Sequence, residues 1–228
     1  MKLAIFCDFD GTVSQVDVTD AVLERFADPL WREIQDEWLA GKMTAREVLQ
    51  KQMPLVTVGI DELNDFIDAV PIDPFFAEFA ELCARNGYPL YILSDGFDYW
   101  IGRILERALG SRVGVADAVK FFANGLTLCG DKVHISFPHF PQGCPHGCGN
   151  CKPALFAQLK GNAEKTVVIG DGISDRLIVE EADLVLARDG LVDFCRERGI
   201  ASYRFDDFSE VIRAVANVRN EDLEDRHE

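Results

Sequence analysis

The chain has 228 residues, 39 of them acidic and 23 basic, for a formal charge of −16. That field repels polyanions, which excludes nucleic acid and anionic membranes as partners, and any anionic substrate needs a local cation to reverse it. A hydrophobic content of 48% and a charged content of 27% make the composition globular, with enough chain for a large core and a smaller accessory unit.

No apolar run is long enough to cross a bilayer, and the stretch before Asp8 is too short for a signal peptide, so the expected location is cytoplasmic. Seven cysteines, an odd number, fit reduced thiols or a metal site better than a disulfide framework. Nothing in the pattern chooses between a monomer and a homodimer.

The first element is an apolar strand over residues 3–9 that runs into Asp8-Phe9-Asp10-Gly11-Thr12-Val13. Two residues along an extended chain point the same way, so both carboxylates can face one ligand at the strand's C-terminal edge. An ordinary Asp/Gly turn reads the same way locally. Residues 15–72 then read as amphipathic helices over 18–27, 30–39, 44–52 and 61–69, with Phe26, Trp31, Trp38, Val48, Leu49 and Phe66 on their apolar faces. A helical insert directly after such a turn is placed to act as a lid, or serves stability alone. Asp17 and Asp20 near its start either point into a cleft and favour a polar or cationic group, or only stabilise a helix N-terminus.

A helix over 73–86 leads to a strand over 88–94 that ends in Ser94-Asp95-Gly96, followed by a helix over 98–109. A hydroxyl followed by backbone N–H groups at a helix start can cradle an anion, and it can equally be an N-cap. Short antiparallel strands are expected over 119–123, 126–129 and 133–137, with turns at Asn124-Gly125 and Gly130-Asp131. A Pro/Gly/Cys/His-rich loop over 138–151 follows. Lys152-Pro153 opens a helix over 153–161, where a fixed lysine would neutralise a phosphate or a carboxylate. A strand over 166–170 delivers Gly170-Asp171-Gly172-Ile173-Ser174-Asp175, read as a helix start with Asp171 and Asp175 on one face. A strand over 184–187, a helix over 191–199 and a strand over 201–205 complete the alternation, and the charged residues 217–228 are expected to fray.

Strands alternating with helices predict an α/β fold: a Rossmann-like parallel sheet with helices on both faces and an inserted helical cap. The expected division is a core of residues 1–14 and 73–228, carrying a hairpin and cysteine loop over 119–151, and a helical unit of residues 15–72. A carboxylate can attack phosphorus and a second can shuttle protons, which suits Asp8 and Asp10. Several hard oxygen ligands at one edge suit Mg²⁺. Cys144, Cys148 and Cys151 form a thiol cluster that Cys129, His134, His139 or His146 can complete as a structural Zn²⁺ site; a disulfide or free thiols are the alternatives. Cys7, Cys83 and Cys195 sit in apolar patterns, as small core residues.

The order is DxD after one strand, Ser after the next, Lys before a helix, and GDGxxD after a further strand. In this order the motifs resemble those of the haloacid dehalogenase-like hydrolases over the entire chain. The insert resembles the type 1 cap of phosphoserine phosphatase-like members. The phrases His134-Ile135-Ser136-Phe137-Pro138-His139, Gly143-Cys144 and Cys148-Gly149-Asn150-Cys151-Lys152-Pro153 are similar to a subgroup acting on an enolphosphate in methionine salvage. So are Phe26-Ala27-Asp28-Pro29-Leu30-Trp31 and Leu186-Ala187-Arg188-Asp189. Ser94-Asp95-Gly96 departs from the Ser-Gly-Gly of that subgroup and matches the start found in phosphocholine and phosphoethanolamine phosphatases, which leaves phosphoserine, phosphocholine and phosphoethanolamine as alternative substrates. A noncatalytic phosphate-binding protein would keep the fold but not need both Asp8 and Asp10.

The resemblance implies hydrolysis of a small phosphorylated metabolite through an aspartyl-phosphate on Asp8, with Asp10 as acid and base. It implies Mg²⁺ held by Asp8, the Asp10 carbonyl, Asp171 and Asp175. Ser94 and Lys152 would bind phosphate, Asp95 and Gly96 would line the same cradle, and Asp17 would face the substrate.

Overall fold

At the centre lies β1 (Leu3–Cys7), buried along its whole length and paired in parallel with β2 (Leu90–Phe97) and β5 (Lys165–Gly170). The computed structural model describes residues 2–224. Its seven strands form one sheet in the order β4-β3-β2-β1-β5-β6-β7. Every pairing is parallel except that of β3 (Val119–Cys129) with β4 (Lys132–Ser136). The outer strands on the other side are β6 (Leu184–Ala187) and β7 (Tyr203–Arg204).

Side chains of β1 alternate between two cores, as the period of two requires. Leu3, Ile5 and Cys7 join the larger cluster, Ala4 and Phe6 the smaller. The insert between β1 and β2 supplies α1 (Val18–Phe26), α2 (Trp31–Leu39), α3 (Ala45–Gln52) and α4 (Ile60–Asp68). The larger core also takes residues of α5 (Phe76–Asn86), α6 (Asp98–Leu109) and α9 (Phe208–Glu224). The smaller is closed by α7 (Lys152–Leu159) and α8 (Asp189–Arg198). Cys7, Cys83 and Cys195 are buried free thiols, as expected of small core residues. None of the described helices is long and apolar enough to cross a membrane.

Four local expectations are corrected. Asn124-Gly125 is not a turn: β3 runs straight through it, parallel to β2 first and antiparallel to β4 afterwards. Asn124 is buried and donates from Nδ2 to the Asp95 carbonyl at 2.6 Å, while a Cβ on Gly125 would lie 2.3 Å from Ser136 Oγ. The pair therefore serves a close strand-to-strand approach, which a turn-former permits equally well. Second, Ser94-Asp95-Gly96 lies inside β2, across a register irregularity between Leu93 and Phe97, and α6 begins only at Asp98. Ser94 is thus not an N-cap. Third, Asp171 precedes and Asp175 ends a single 3₁₀ turn, Ile173–Asp175, rather than opening an α-helix. Fourth, the stretch expected to fray from residue 217 continues α9 to Glu224; residues 225–228 lie outside those described.

The last helix is fixed by its aromatic start. The Phe208 ring meets Phe76 and Phe79, both at 5.3 Å between centroids, and Phe205 at 6.0 Å. Its backbone N–H donates to Asp73 Oδ2 at 3.2 Å. Phe208 is fully buried, so Phe208→Ala is expected to cost about 3–5 kcal/mol in urea unfolding. A loss below about 1 kcal/mol would mean that α9 contributes little to the core.

Candidate active site

Past Cys7 the chain stops pairing and turns sharply. Asp8 N–H still bonds the Ile169 carbonyl at 2.9 Å, and then the N–H groups of Thr12, Val13 and Ser14 converge on the Phe9 carbonyl at 2.9–3.2 Å. Gly11 takes φ +73°, and a Cβ there would lie 2.5 Å from Asp171 Oδ2, so glycine is required both for the turn and for the approach of a second carboxylate. This turn throws Asp8 and Asp10 over the carboxyl edge of the sheet but aims them at different partners.

Asp8 faces Lys152. The ammonium lies 2.9 Å from Asp8 Oδ1 and 2.7 Å from Asp175 Oδ1, with the lysine side chain 2% exposed. Burial alone would push that ammonium down, but Asp175, Asp8 and Asp95 together hold it above its usual range. Oxygens of Asp8, Asp171 and Asp175 lie within 4.8 Å of one another. Burial first, then the charge of Asp175, lifts the Asp8 carboxyl well above the usual range. The same two causes push Asp171 up to about 6, although Thr12 Oγ1 donates to its Oδ1 at 3.3 Å. Three carboxylates opposed by one ammonium leave two negative charges, and the all-oxygen donor set fits a hard divalent cation.

Asp10 faces the other way. Its Oδ1 accepts from Val18 N–H at 2.8 Å and its Oδ2 from Ser94 Oγ at 3.0 Å. Burial and then the charge of Asp17 raise the carboxyl to about 8, against those two hydrogen bonds. The Ser94 hydroxyl also accepts from Gly96 N–H at 2.8 Å.

The carboxylate of Asp95 is turned to the cysteine loop, where Oδ1 accepts from Asn150 N–H at 2.7 Å. Asn150, which the sequence reading passed over, ties that loop to the sheet: its Nδ2 donates to the Ser94 carbonyl at 2.9 Å and to the Phe122 carbonyl at 2.7 Å. Thr12 was passed over as well, although it stands inside the phrase Asp10-Gly11-Thr12. Its signal was a hydroxyl placed immediately after the turn that carries the carboxylates.

Above these groups is a cavity of about 610 Å³, roofed by the helical insert. Its walls bring together Asp8, Asp10, Asp17, Asp20, Asp95, Gly96, Lys152 and Asp171. The insert adds an apolar wall of Trp38, Met43, Val48 and Leu49. Asp17 caps α1, its Oδ1 accepting from Asp20 N–H at 2.8 Å, and the residue also lines the cavity. Among the described residues lining this space, Lys152 is the one lysine or arginine.

Cys144, Cys148 and Cys151 do cluster, beside the cavity. Cys129, His134, His139 and His146 are not in that group; Cys129 is exposed, and the His139 ring packs on Phe122 at 5.3 Å between centroids.

A carboxylate pair after the first strand of a parallel sheet, a buried lysine facing it and a helical roof together define a hydrolase class. The chain belongs to the haloacid dehalogenase-like hydrolases, whose family model matches residues 5–180. It is 35% identical over 220 residues to the 2-hydroxy-3-keto-5-methylthiopentenyl-1-phosphate phosphatase of Geobacillus kaustophilus, covering 95% of this chain and 97% of that one. The protein of the same name from Geobacillus thermodenitrificans is also 35% identical, over 92% of this chain and 94% of its own. Among solved structures, a phospho-aspartyl intermediate analogue of phosphoserine phosphatase superposes with a TM-score of 0.68, at 23% identity, over 93% of this chain and 98% of that one. At that identity the likeness concerns the fold.

The carboxylate cluster should cost stability when no cation is bound. Asp171 holds its proton up to about 6 in the folded chain, against about 3.9 when unfolded. The folded state therefore binds more protons between these values, and stability falls as pH rises through them. With chelator present, Asp171→Asn is expected to be more stable than the parent by about 1–2 kcal/mol at pH 7. The gain should vanish near pH 4; urea unfolding at the two pH values checks it. A variant less stable at pH 7 would contradict the repulsion.

Proposed function

We propose that this chain is a Mg²⁺-dependent phosphatase of a small phosphomonoester, working through an aspartyl-phosphate on Asp8. The substrate we infer is 2-hydroxy-3-keto-5-methylthiopentenyl-1-phosphate, the compound in the names of its curated relatives. The observation that carries the reading is the Asp8 carboxylate at the edge of β1, held by buried Lys152 beside Asp171 and Asp175 while Asp10 is turned to Val18 N–H and Ser94 Oγ.

Asp8 attacks phosphorus in line, and the bond to the leaving oxygen breaks. Asp10, carrying a proton below about 8, gives it to that oxygen, then takes one from the water that hydrolyses the intermediate. Ser94, fully buried behind the cavity wall, orients the Asp10 carboxyl by donating to it, and reaches a non-bridging oxygen only by turning its hydroxyl hydrogen away from Asp10; Lys152 takes the others. Asp8, Asp171, Asp175 and the Asp10 carbonyl would hold Mg²⁺, which when bound would supply positive charge to offset the negative charge that phosphoryl transfer spreads over the equatorial oxygens. Asp95 acts at one remove, fixing Asn150 and so the loop that ends at Lys152. Residues 15–72 serve as the cap over a core of residues 1–14 and 73–228.

The cavity favours the enolphosphate over phosphoserine. Trp38, Met43, Val48 and Leu49 offer an apolar wall for a methylthio tail. A substrate carboxylate would meet no cation except Lys152, already paired with Asp8 and Asp175. One observation favours a second reading: Asp17 and Asp20 on the wall suit a cationic group, as in phosphocholine or phosphoethanolamine.

Phosphate release from a panel of these esters and an aryl phosphate, with Mg²⁺ or with EDTA, tests the reading. Mg²⁺-dependent turnover with preference for the enolphosphate is expected, and Asp8→Asn should abolish it because an amide cannot form the intermediate. Preference for phosphocholine would move the protein to the second reading. No Mg²⁺-dependent release from any ester, or an Asp8→Asn protein retaining half the activity, would sink the mechanism.

The protonated form of Asp10 is the active acid, so the rate should be present below about pH 8 and fall as pH rises through it. Asp10→Asn should lower kcat by about 10²–10⁴-fold and flatten that alkaline limb. A limb unchanged in the variant would assign it to another group.

A further inference from the structure

The loop between β4 and α7 places three thiols together where nothing in the phosphate chemistry uses them. Cys144 Sγ lies 3.8 Å from Cys151 Sγ and 4.0 Å from Cys148 Sγ, and all three sulfurs fall within 4.8 Å of one another. Cys148 and Cys151 are buried, Cys144 partly so. A tetrahedral zinc with sulfurs at about 2.3 Å has an S···S edge of about 3.8 Å. A disulfide would bring one pair to about 2.05 Å and push the third sulfur out. The two distances from Cys144 match that edge, and the third pair lies within 4.8 Å.

A second observation concerns the backbone around the sulfurs. Against burial, the backbone N–H groups of His146 and Cys148 hold the Cys144 thiol below its usual range, while burial raises those of Cys148 and Cys151. A bound divalent cation would offset that cost and keep all three as thiolates. Gly147 allows this loop to close against the insert: it takes φ +61°, and a Cβ would lie 2.3 Å from Thr44 Cγ2.

We propose that Cys144, Cys148 and Cys151 bind one zinc ion as thiolates, in a site separate from the carboxylate cluster, with the fourth position taken by water or by the imidazole of His146. Among the described residues no fourth cysteine, histidine or acid lies within the cluster. His146 is the adjacent candidate, exposed and on the cavity wall. The role is to fix the loop. Cys151 immediately precedes Lys152, and Asn150 beside it bonds the Ser94 and Phe122 carbonyls. The zinc site does not depend on the phosphatase reading, and its test does not use activity.

Full-length protein purified under reducing conditions without chelator should carry about one zinc per chain by elemental analysis. Titration of the thiols with a mercurial should release it. Cobalt loaded in its place should show thiolate-to-metal charge transfer and the visible bands of a tetrahedral site. Cys144→Ser should lose these signals and Cys129→Ser should keep them. His146→Ala shifting the cobalt bands would assign the fourth ligand, and unshifted bands would assign it to water. Should Cys144→Ser fail to fold, the zinc content and cobalt spectrum of the parent still decide. Metal-free parent protein that takes up no cobalt overturns the proposal, as does a mass showing two hydrogens lost to a disulfide in that loop.

Discussion

Lys152 is an ammonium removed from water and surrounded by acids. A charge so buried is tolerated only when it is paired, and here Asp8 at 2.9 Å and Asp175 at 2.7 Å do the pairing. The rest of the site is arranged by that constraint. It brings the ends of β1 and β5 and the start of α7 to one point, although these lie far apart in the chain. It also separates the partners of the two carboxylates. Burial lifts both carboxyls, that of Asp8 together with Asp175 and that of Asp10 together with Asp17, while Lys152 opposes the rise through its ion pair at Asp8 and only weakly at Asp10. Two acids one residue apart thereby meet different surroundings.

The chain as a whole is strongly acidic, and a phosphate ester would be repelled from it. Burying the one lysine of the cavity wall opposes this only in part, because its charge, though acting at longer range in a region of low polarisability, is already shared by Asp8 and Asp175. The same burial forces the protein to hold more carboxylate than ammonium at the site. The carboxylates of the site therefore repel one another, the usual relation between catalytic groups and stability.

Much of this arrangement was legible from the order of the residues. Apolar runs with period two, each ending in Asp, Ser or Gly, marked where strands leave the sheet, and a parallel sheet brings such ends to one edge. The elements missed were those in which tertiary contact overrides local preference. Asn124-Gly125 has the signature of a hairpin, but the pair is spent on the Asp95 carbonyl and on room for Ser136. Ser94-Asp95-Gly96 reads as a helix start, yet hydrogen bonds from Asn124 and Asn150 to the Asp95 and Ser94 carbonyls keep it extended until Phe97. Asp171 and Asp175 do meet, through a 3₁₀ turn in place of the expected helix. The partners of Asp95 lie 29 and 55 positions further along the chain, and no local pattern could announce them.

The connection between loop and site explains why Asp95, in place of a smaller residue, can follow Ser94. An unpartnered carboxylate there would be costly, since it is partly buried near Asp175 and its carboxyl is lifted by desolvation. Asn150 N–H accepts that cost by bonding Oδ1, and the Asn150 amide in turn satisfies two strand carbonyls that the bend in β2 leaves open. Asp95 therefore ties β2 to the loop that delivers Lys152. Asp95 is then tied into the scaffold, and on the function proposed above discrimination between leaving groups would fall to the helical insert, whose Trp38, Met43 and Leu49 line the same cavity as Asp17 and Asp20.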